Sequence, residues 1–357
     1  MPELAKEIGN VQHAKGKAQV TQLSSASTTK SAPFESKQLG EYTTRTRIGR
    51  GGFGVVFKAQ HKIDRRWYAI KQVDPVNPVD AIDMADTEQS PNKVLREVHI
   101  LAELDHPHIV RYYGTWPEIP PPGEELPWMV GSNQPCLYIR MEWCSGPTLY
   151  EWLRQSQLPA ERPISQTLDW FSQLVSAAKY IHDKGLIHRD IKPQNIFFGS
   201  LRNEAASVLK IGDFGLATYA AALSSSEANG NFTASSSTMN SQHTPDVGTP
   251  SYKSPEQVIA EIVLPSRGVC VQSSDDYANS TDIFSLGLVF LEMLRPFKTD
   301  RERCGIFGAL RSKQRPAVMN KLNKKIDALI SRMTAFEPKK RPTASELDNE
   351  LKKMTVG

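Results

Sequence analysis

His188-Arg189-Asp190-Ile191-Lys192-Pro193-Gln194-Asn195 and, a short way on, Asp213-Phe214-Gly215 are the strings from which the rest of the chain can be read. Asp190 can orient a hydroxyl and accept its proton, and Lys192 can neutralise charge on a transferring phosphoryl group. Asn195 and Asp213 offer the amide and carboxylate oxygens that hard Mg²⁺ takes in preference to imidazole or thiol. Singly, each has an ordinary explanation, a turn Asp or a solvated Lys. In this order and at this spacing they point to phosphoryl transfer. His188 has no task in that chemistry and is expected to be structural.

Working outward, Ile48-Gly49-Arg50-Gly51-Gly52-Phe53-Gly54-Val55-Val56 contains G-x-G-x-x-G, a weak signal by itself. Its flanks sharpen it. In a dinucleotide fold the last glycine opens a helix, whereas here β-branched residues follow and Ala69-Ile70-Lys71 sits on the next strand. The pattern predicts a hairpin lid over phosphates, whose glycines let backbone N–H groups approach the oxygens. Lys71 lies in an apolar strand, where a buried ammonium is costly without an anion beside it. Glu97, on the predicted helix that follows, is the candidate partner, with residues 74–90 absorbing the long spacing. On its own Glu97 would read as part of a solvated helix face.

The chain has 357 residues, 39% hydrophobic and 23% charged, enough for a sizeable core and about two ordinary domains. A net charge of +4, spread along the chain, gives nucleic-acid binding little support. Cys136, Cys144, Cys270 and Cys304 are far apart with no C-x-x-C pair, which argues against a zinc site and a disulfide framework and for a reducing compartment. There is no apolar leader and no long apolar run, so no membrane association is expected, and a cytoplasmic location is.

Residues 1–38, rich in Ser, Thr, Lys, Gln and Ala, are expected to be a flexible tail, with the fold starting near Tyr42. From there to Glu142 the pattern is strand-like, at residues 55–57, 67–70, 109–113 and 137–139, interrupted by one helix between Pro91 and Asp105. After Cys144 it becomes helical, with Leu168, Phe171, Leu174, Val175, Ala178 and Ile181 on one stripe. Trp116 to Pro135, with six prolines, reads as a loop between strands. Ser224 to Gln242 is of low complexity, with the serines of 224–241 better suited to a flexible spacer than to phosphorylation, and a further insertion is expected between Ile259 and Ala278.

With these residues in view, the chain resembles a eukaryotic protein kinase over 42–354, the serine/threonine branch in particular. The resemblance extends to Ser254-Pro255-Glu256, to Thr281-Asp282-Ile283-Phe284-Ser285-Leu286-Gly287, and to Lys340-Arg341-Pro342, where Arg341 would pair with Glu256. It implies an α+β bilobal fold, with a small antiparallel sheet lobe and hinge over 42–144 and a larger, mainly helical lobe over 145–354. It also implies ATP and Mg²⁺ as cofactors, with Ile48 to Val56, Ala69, Lys71 and Glu97 at the nucleotide, Met141 as gatekeeper, and Glu142 to Cys144 as the hinge to adenine. Asp190 and Lys192 would be catalytic and Asn195 and Asp213 the metal ligands. Gly248-Thr249 fits the serine/threonine branch, with Thr249 bridging Asp190 and Lys192.

Longer strings narrow the resemblance. Residues 95–98, 108–113, 138–144, 185–188, 195–198, 247–257 and 282–288, with Arg295-Pro296-Phe297, are similar to kinases of the translation initiation factor 2 alpha subunit. This implies that alpha subunit as the protein substrate, in translation control under stress, with the helix after Phe297, including Thr299 and Glu302, as its docking element. It also implies a homodimer through the small lobe. Thr244 stands where these kinases carry an activating phosphothreonine, which would add about −1.5 to −2 charge for Arg189 to meet. Thr244-Pro245 would otherwise be an ordinary turn. The 116–135 loop is short for such kinases, the 256–282 segment is long, and no regulatory module is recognised. A serine/threonine kinase with another substrate, such as a cell-cycle protein, is the rival reading, and a pseudokinase scaffold is the rival from another class. The presence of Lys71, Asp190 and Asp213 counts against the latter.

Overall fold

Alternation of inward and outward side chains builds the first lobe. The computed structural model describes residues 38–51, 54–75, 93–121, 135–155, 162–200, 207–219, 252–260, 275–317, 319 and 323–355. Strands β1 (Tyr42–Gly51), β2 (Gly54–His61), β3 (Trp67–Pro75), β4 (Tyr112–Glu118) and β5 (Cys136–Glu142) form one antiparallel sheet in the order β1-β2-β3-β5-β4. On one face Val55, Phe57 and Ala59 of β2 pack with Tyr68 and Ile70 of β3, Trp116 and Tyr138. A step of one residue reverses the direction of a strand side chain, so Val56, Ala69 and Lys71 face the cleft. Helix α1 (Lys93–Glu103) packs Val98 and Leu101 into the second core.

The sheet departs from the expected boundaries in one place. Residues 109–113 were expected to form a strand and 116–135 a loop, but β4 runs on through Trp116, Pro117 and Glu118. A proline interrupts a ladder least at a sheet edge, and β4 is the edge strand. Buried Glu118 is satisfied: its Oε2 accepts the Trp116 indole N–H at 2.8 Å and the Leu39 backbone N–H at 3.0 Å. Leu39, ahead of Tyr42, is itself buried in the small-lobe core.

The second lobe is built on helices α2 (Leu149–Gln155), α3 (Ile164–Asp183), α4 (Asp275–Leu294), α5 (Asp300–Arg311), α6 (Lys324–Met333) and α7 (Ala344–Thr355). The predicted stripe on α3 is buried at Phe171, Leu174, Val175, Ala178 and Ile181, with Leu168 half-buried at its start, and Phe171 stacks on Phe290 of α4 at 3.9 Å between centroids. From Ser280 to Met293 every residue of α4 is buried, the mark of a central helix. Gly287 lets α6 approach: a Cβ there would lie 2.8 Å from Thr334 Cγ2 and 3.0 Å from Met333 Cβ. Two further two-stranded antiparallel sheets follow α3, one pairing β6 (Leu186–Ile187) with the distant β9 (Thr218–Tyr219) and the other the hairpin of β7 (Ile196–Ser200) with β8 (Ser207–Ile211). Among the described residues no helix is long and apolar enough to cross a membrane.

Candidate active site

A cleft of 490 Å³ opens between the lobes. Ile48, Gly49, Gly54, Val56 and Ala69 line it from the sheet, Met141 to Cys144 from the end of β5 and the connector that follows, and Asn195, Phe197, Gly212 and Asp213 from the hairpin side. An apolar cleft with a few convergent polar groups is the usual form of a small-molecule site. Val55 is the exception among the residues expected here. It is turned into the small-lobe core, because two adjacent strand residues cannot face the same side. Arg50 and Gly51 belong to β1, while Gly52 and Phe53 lie outside the described residues, as do Thr244 and Thr249.

Lys71 sits between two carboxylates. Its Nζ donates to Glu97 Oε1 at 2.7 Å and to Asp213 Oδ1 at 3.3 Å. Burial alone would lower the Lys71 pKa, but Asp213 and Glu97 outweigh it and hold the ammonium above its ordinary value. Burial likewise pushes the Asp213 carboxyl up, and Lys71 more than offsets this, leaving it below the ordinary range. The Asp213 side chain keeps 37% of its surface exposed, so the pair is not sealed from a ligand.

Asp190 is the second focus. Its Oδ2 accepts Lys192 Nζ at 2.8 Å and Asn195 Nδ2 at 2.9 Å, and its backbone carbonyl accepts Asn195 Nδ2 at 2.9 Å. Asn195 thus uses its amide nitrogen to brace Asp190, and neither bond occupies its amide oxygen. That oxygen and the Asp213 carboxylate are a donor set suited to Mg²⁺, which is commonly held by one or two protein oxygens together with substrate phosphates. Among the described residues there is no group of three or more His, Cys, Asp or Glu side chains arranged as a metal cage.

The loop carrying Asp190 is held from beneath. Arg189 and Asp213 both have left-handed backbone, with φ of 66° and 61°, a conformation costing about 1–3 kcal/mol for a non-glycine residue unless its surroundings enforce it. Asp282 on α4 does so for the first: its carboxylate accepts the backbone N–H of His188 at 2.9 Å and of Arg189 at 2.8 Å, and meets His182 Nε2 at 2.9 Å. Burial would raise the Asp282 carboxyl, but the hydrogen bonds and charges of His182 and His188 together outweigh it and hold the pKa below its ordinary value. His188 is structural, as expected: it is buried, its Nε2 meets the Gly212 carbonyl at 3.1 Å, and its ring lies edge-on to Phe214. Sequence reasoning missed the anchoring role of Asp282. The available signal was an Asp heading the apolar run Ile283-Phe284, where a charge needs partners.

Farther out, Arg341 pairs with Glu256 through both carboxylate oxygens, at 2.5 and 2.8 Å, and Thr281 Oγ1 donates to the same carboxylate at 3.1 Å. Thr299 and Glu302, expected to dock a substrate, have local work. Thr299 Oγ1 accepts the Glu302 N–H at 3.1 Å, and the Glu302 carboxylate accepts the Lys298 N–H at 2.8 Å and meets Arg295 at 3.3 Å. This caps the start of α5.

The sequence model of the protein kinase domain matches residues 42–351. The chain belongs to the protein kinase family. Membership implies use of ATP and a divalent metal as a class. Among its relatives is the interferon-induced, double-stranded RNA-activated protein kinase of Rattus norvegicus, 34% identical over 310 residues, or 84% of this chain and 49% of that protein. The eIF-2-alpha kinase GCN2 of Arabidopsis thaliana is 30% identical over 342 residues, 87% of this chain and 25% of that one. The eukaryotic translation initiation factor 2-alpha kinase pek-1 of Caenorhabditis elegans is 36% identical over 211 residues, 59% of this chain and 18% of that protein. This kinase therefore spans about half the length of the rat relative and less of the others.

Proposed function

We propose that this kinase transfers the γ-phosphoryl group of ATP to a serine of the translation initiation factor 2 alpha subunit, attenuating translation. The observation that carries the catalytic part is the convergence of Lys71, Glu97 and Asp213 at one end of the cleft with Asp190, Lys192 and Asn195 near it. Lys71, fixed by Glu97, aims its ammonium at phosphate oxygens. Asp190 orients the serine hydroxyl and accepts its proton, and Lys192 neutralises charge on the transferring group. Asn195 and Asp213 would hold Mg²⁺, which when bound spreads the phosphate charge. Positioning and electrostatics supply the rate, with Asp190 contributing orientation more than basicity. The substrate assignment is supported by relatives whose names state that activity. Thr299 and Glu302 belong to the proposed docking element through the helix start they hold in place, and Thr244 is the proposed activating phosphosite.

The test is incubation of the purified chain with ATP, Mg²⁺ and recombinant alpha subunit, beside the Asp190→Asn variant, with mass spectrometry of the product. Serine phosphorylation of the subunit by the wild type alone is expected. Labelling of a generic protein but not of the subunit would overturn the substrate and leave the kinase. Equal rates from wild type and variant would remove the enzyme reading.

A further inference from the structure

Lys210 has no part in the chemistry above, yet its ammonium is buried. It lies on β8, three residues before Asp213, and its Nζ donates to Glu142 Oε2 at 3.0 Å, with only 6% of the Lys210 side chain and 20% of the Glu142 side chain exposed. The two partners belong to different lobes: Glu142 ends β5 of the small lobe and lines the cleft, and Lys210 is part of the β7–β8 hairpin. The Glu142 carboxylate also accepts the Arg111 N–H at 3.2 Å, while the Glu142 N–H donates to the Arg111 carbonyl at 2.8 Å. The connector between lobes and the approach to β4 are thus fastened at one carboxylate.

Gly199 leaves room for the arrangement. A Cβ there would lie 3.1 Å from both Cδ and Cε of Lys210 and 3.5 Å from Cys144 Sγ. Its backbone is not in the left-handed region, so space rather than conformation is what the glycine supplies. It leaves a lane for the lysine stem beside the hinge. Burying an ion pair carries a desolvation cost that apolar residues of equal volume avoid, so fold stability alone does not account for the pair. What it adds is a directional tie between the hinge and the strand leading to Asp213.

We propose that Lys210 is a positioning residue for the nucleotide, a latch across the lobe boundary that keeps the Glu142-to-Cys144 hinge in register with Asp213. The adenine end and the phosphate end of the ligand are then set by one frame. This rests on the reading of the cleft as an ATP site.

The test measures adenosine binding by calorimetry and steady-state kinetics with ATP for Lys210→Met, Gly199→Val and the double variant, each first checked for cooperative thermal unfolding. Lys210→Met should raise the adenosine Kd and the KM for ATP about tenfold, with a smaller fall in kcat at saturating ATP, because the bound nucleotide is misplaced while the reacting groups themselves remain. Gly199→Val should do the same by driving the lysine from its lane, and in the Lys210→Met background should add less than about twofold, as two changes to one interaction do. Should Lys210→Met fail to fold, Gly199→Ala provides the milder test of the same rise. Unchanged Kd and KM, or a gain in kcat on removing Lys210, would overturn the latch. So would a wild-type chain that binds neither adenosine nor ATP. If the wild type binds adenosine, loses affinity in Lys210→Met and transfers no phosphate, the latch stands and the proposed catalysis falls.

Discussion

Two buried charge clusters in this kinase use the same ingredients to opposite effect. In the large lobe, Arg341 and Glu256 make a two-pronged pair with Thr281 and the Ser280 carbonyl as further partners, and the Arg341 side chain is wholly inaccessible. In the cleft, Lys71 divides itself between Glu97 and Asp213, and Asp213 remains partly exposed on left-handed backbone. The first cluster is closed, with its charge neutralised inside the fold. The second is open toward the cleft. Burial of charge is therefore common to the two clusters; closure is what separates them.

The largest expected effect separates chemistry from folding. Asp190→Asn should lower phosphoryl transfer by about 10³-fold, within the range for loss of a positioned acid–base group, while shifting the urea midpoint little. A comparable loss of stability would place Asp190 with the closed cluster instead. Arg341→Ala should do the reverse. Removing one partner of a buried pair costs about 3–5 kcal/mol, read from denaturant unfolding, and activity per folded molecule should fall far less than in the Asp190 variant.

Asp282 tests the boundary between the two clusters, since it is closed but anchors the loop that carries Asp190. Its folded pKa is depressed below the ordinary 3.8, so its contribution to stability is fully present above that value. The contribution is lost as pH falls through the folded pKa. Asp282→Asn should therefore lower stability at neutral pH and flatten the acid limb of the stability–pH curve. An acid limb as steep as in the wild type would show that other carboxylates govern it. The smallest effect is expected at α5: Thr299→Ala removes a helix cap and should cost about 1 kcal/mol, with the loss of alpha-subunit phosphorylation exceeding that of a generic substrate if the helix docks it.

Much of the site was legible because its groups lie in short, contiguous strings. His188 to Asn195, Asp213 and the Lys71-to-Glu97 pairing could be read from residue chemistry, since a lysine in an apolar strand requires a counter-charge. The burial stripe on α3 was legible for the same local reason, its helical period. Less legible was anything set by register or by distant partners. Val55 and Val56 are equivalent as β-branched neighbours, and only the pairing of β2 with β3 turns Val56 to the cleft and Val55 to the core. Pro117 looked like the start of a loop until the sheet order made its strand an edge.

By itself the sequence determined the chemistry on offer: which acids, amides and cations the chain carries, their order, and a two-part pattern of strand period followed by helix period. These depend on side-chain type and local spacing, which are covalent properties. The tertiary structure decided which charges are closed and which remain open, that Asp282 supports the loop from 94 residues away in sequence, and that Gly199 leaves a lane for Lys210 to reach the hinge. Those outcomes depend on the distance between groups far apart in the chain and on the space left between them, which only packing sets.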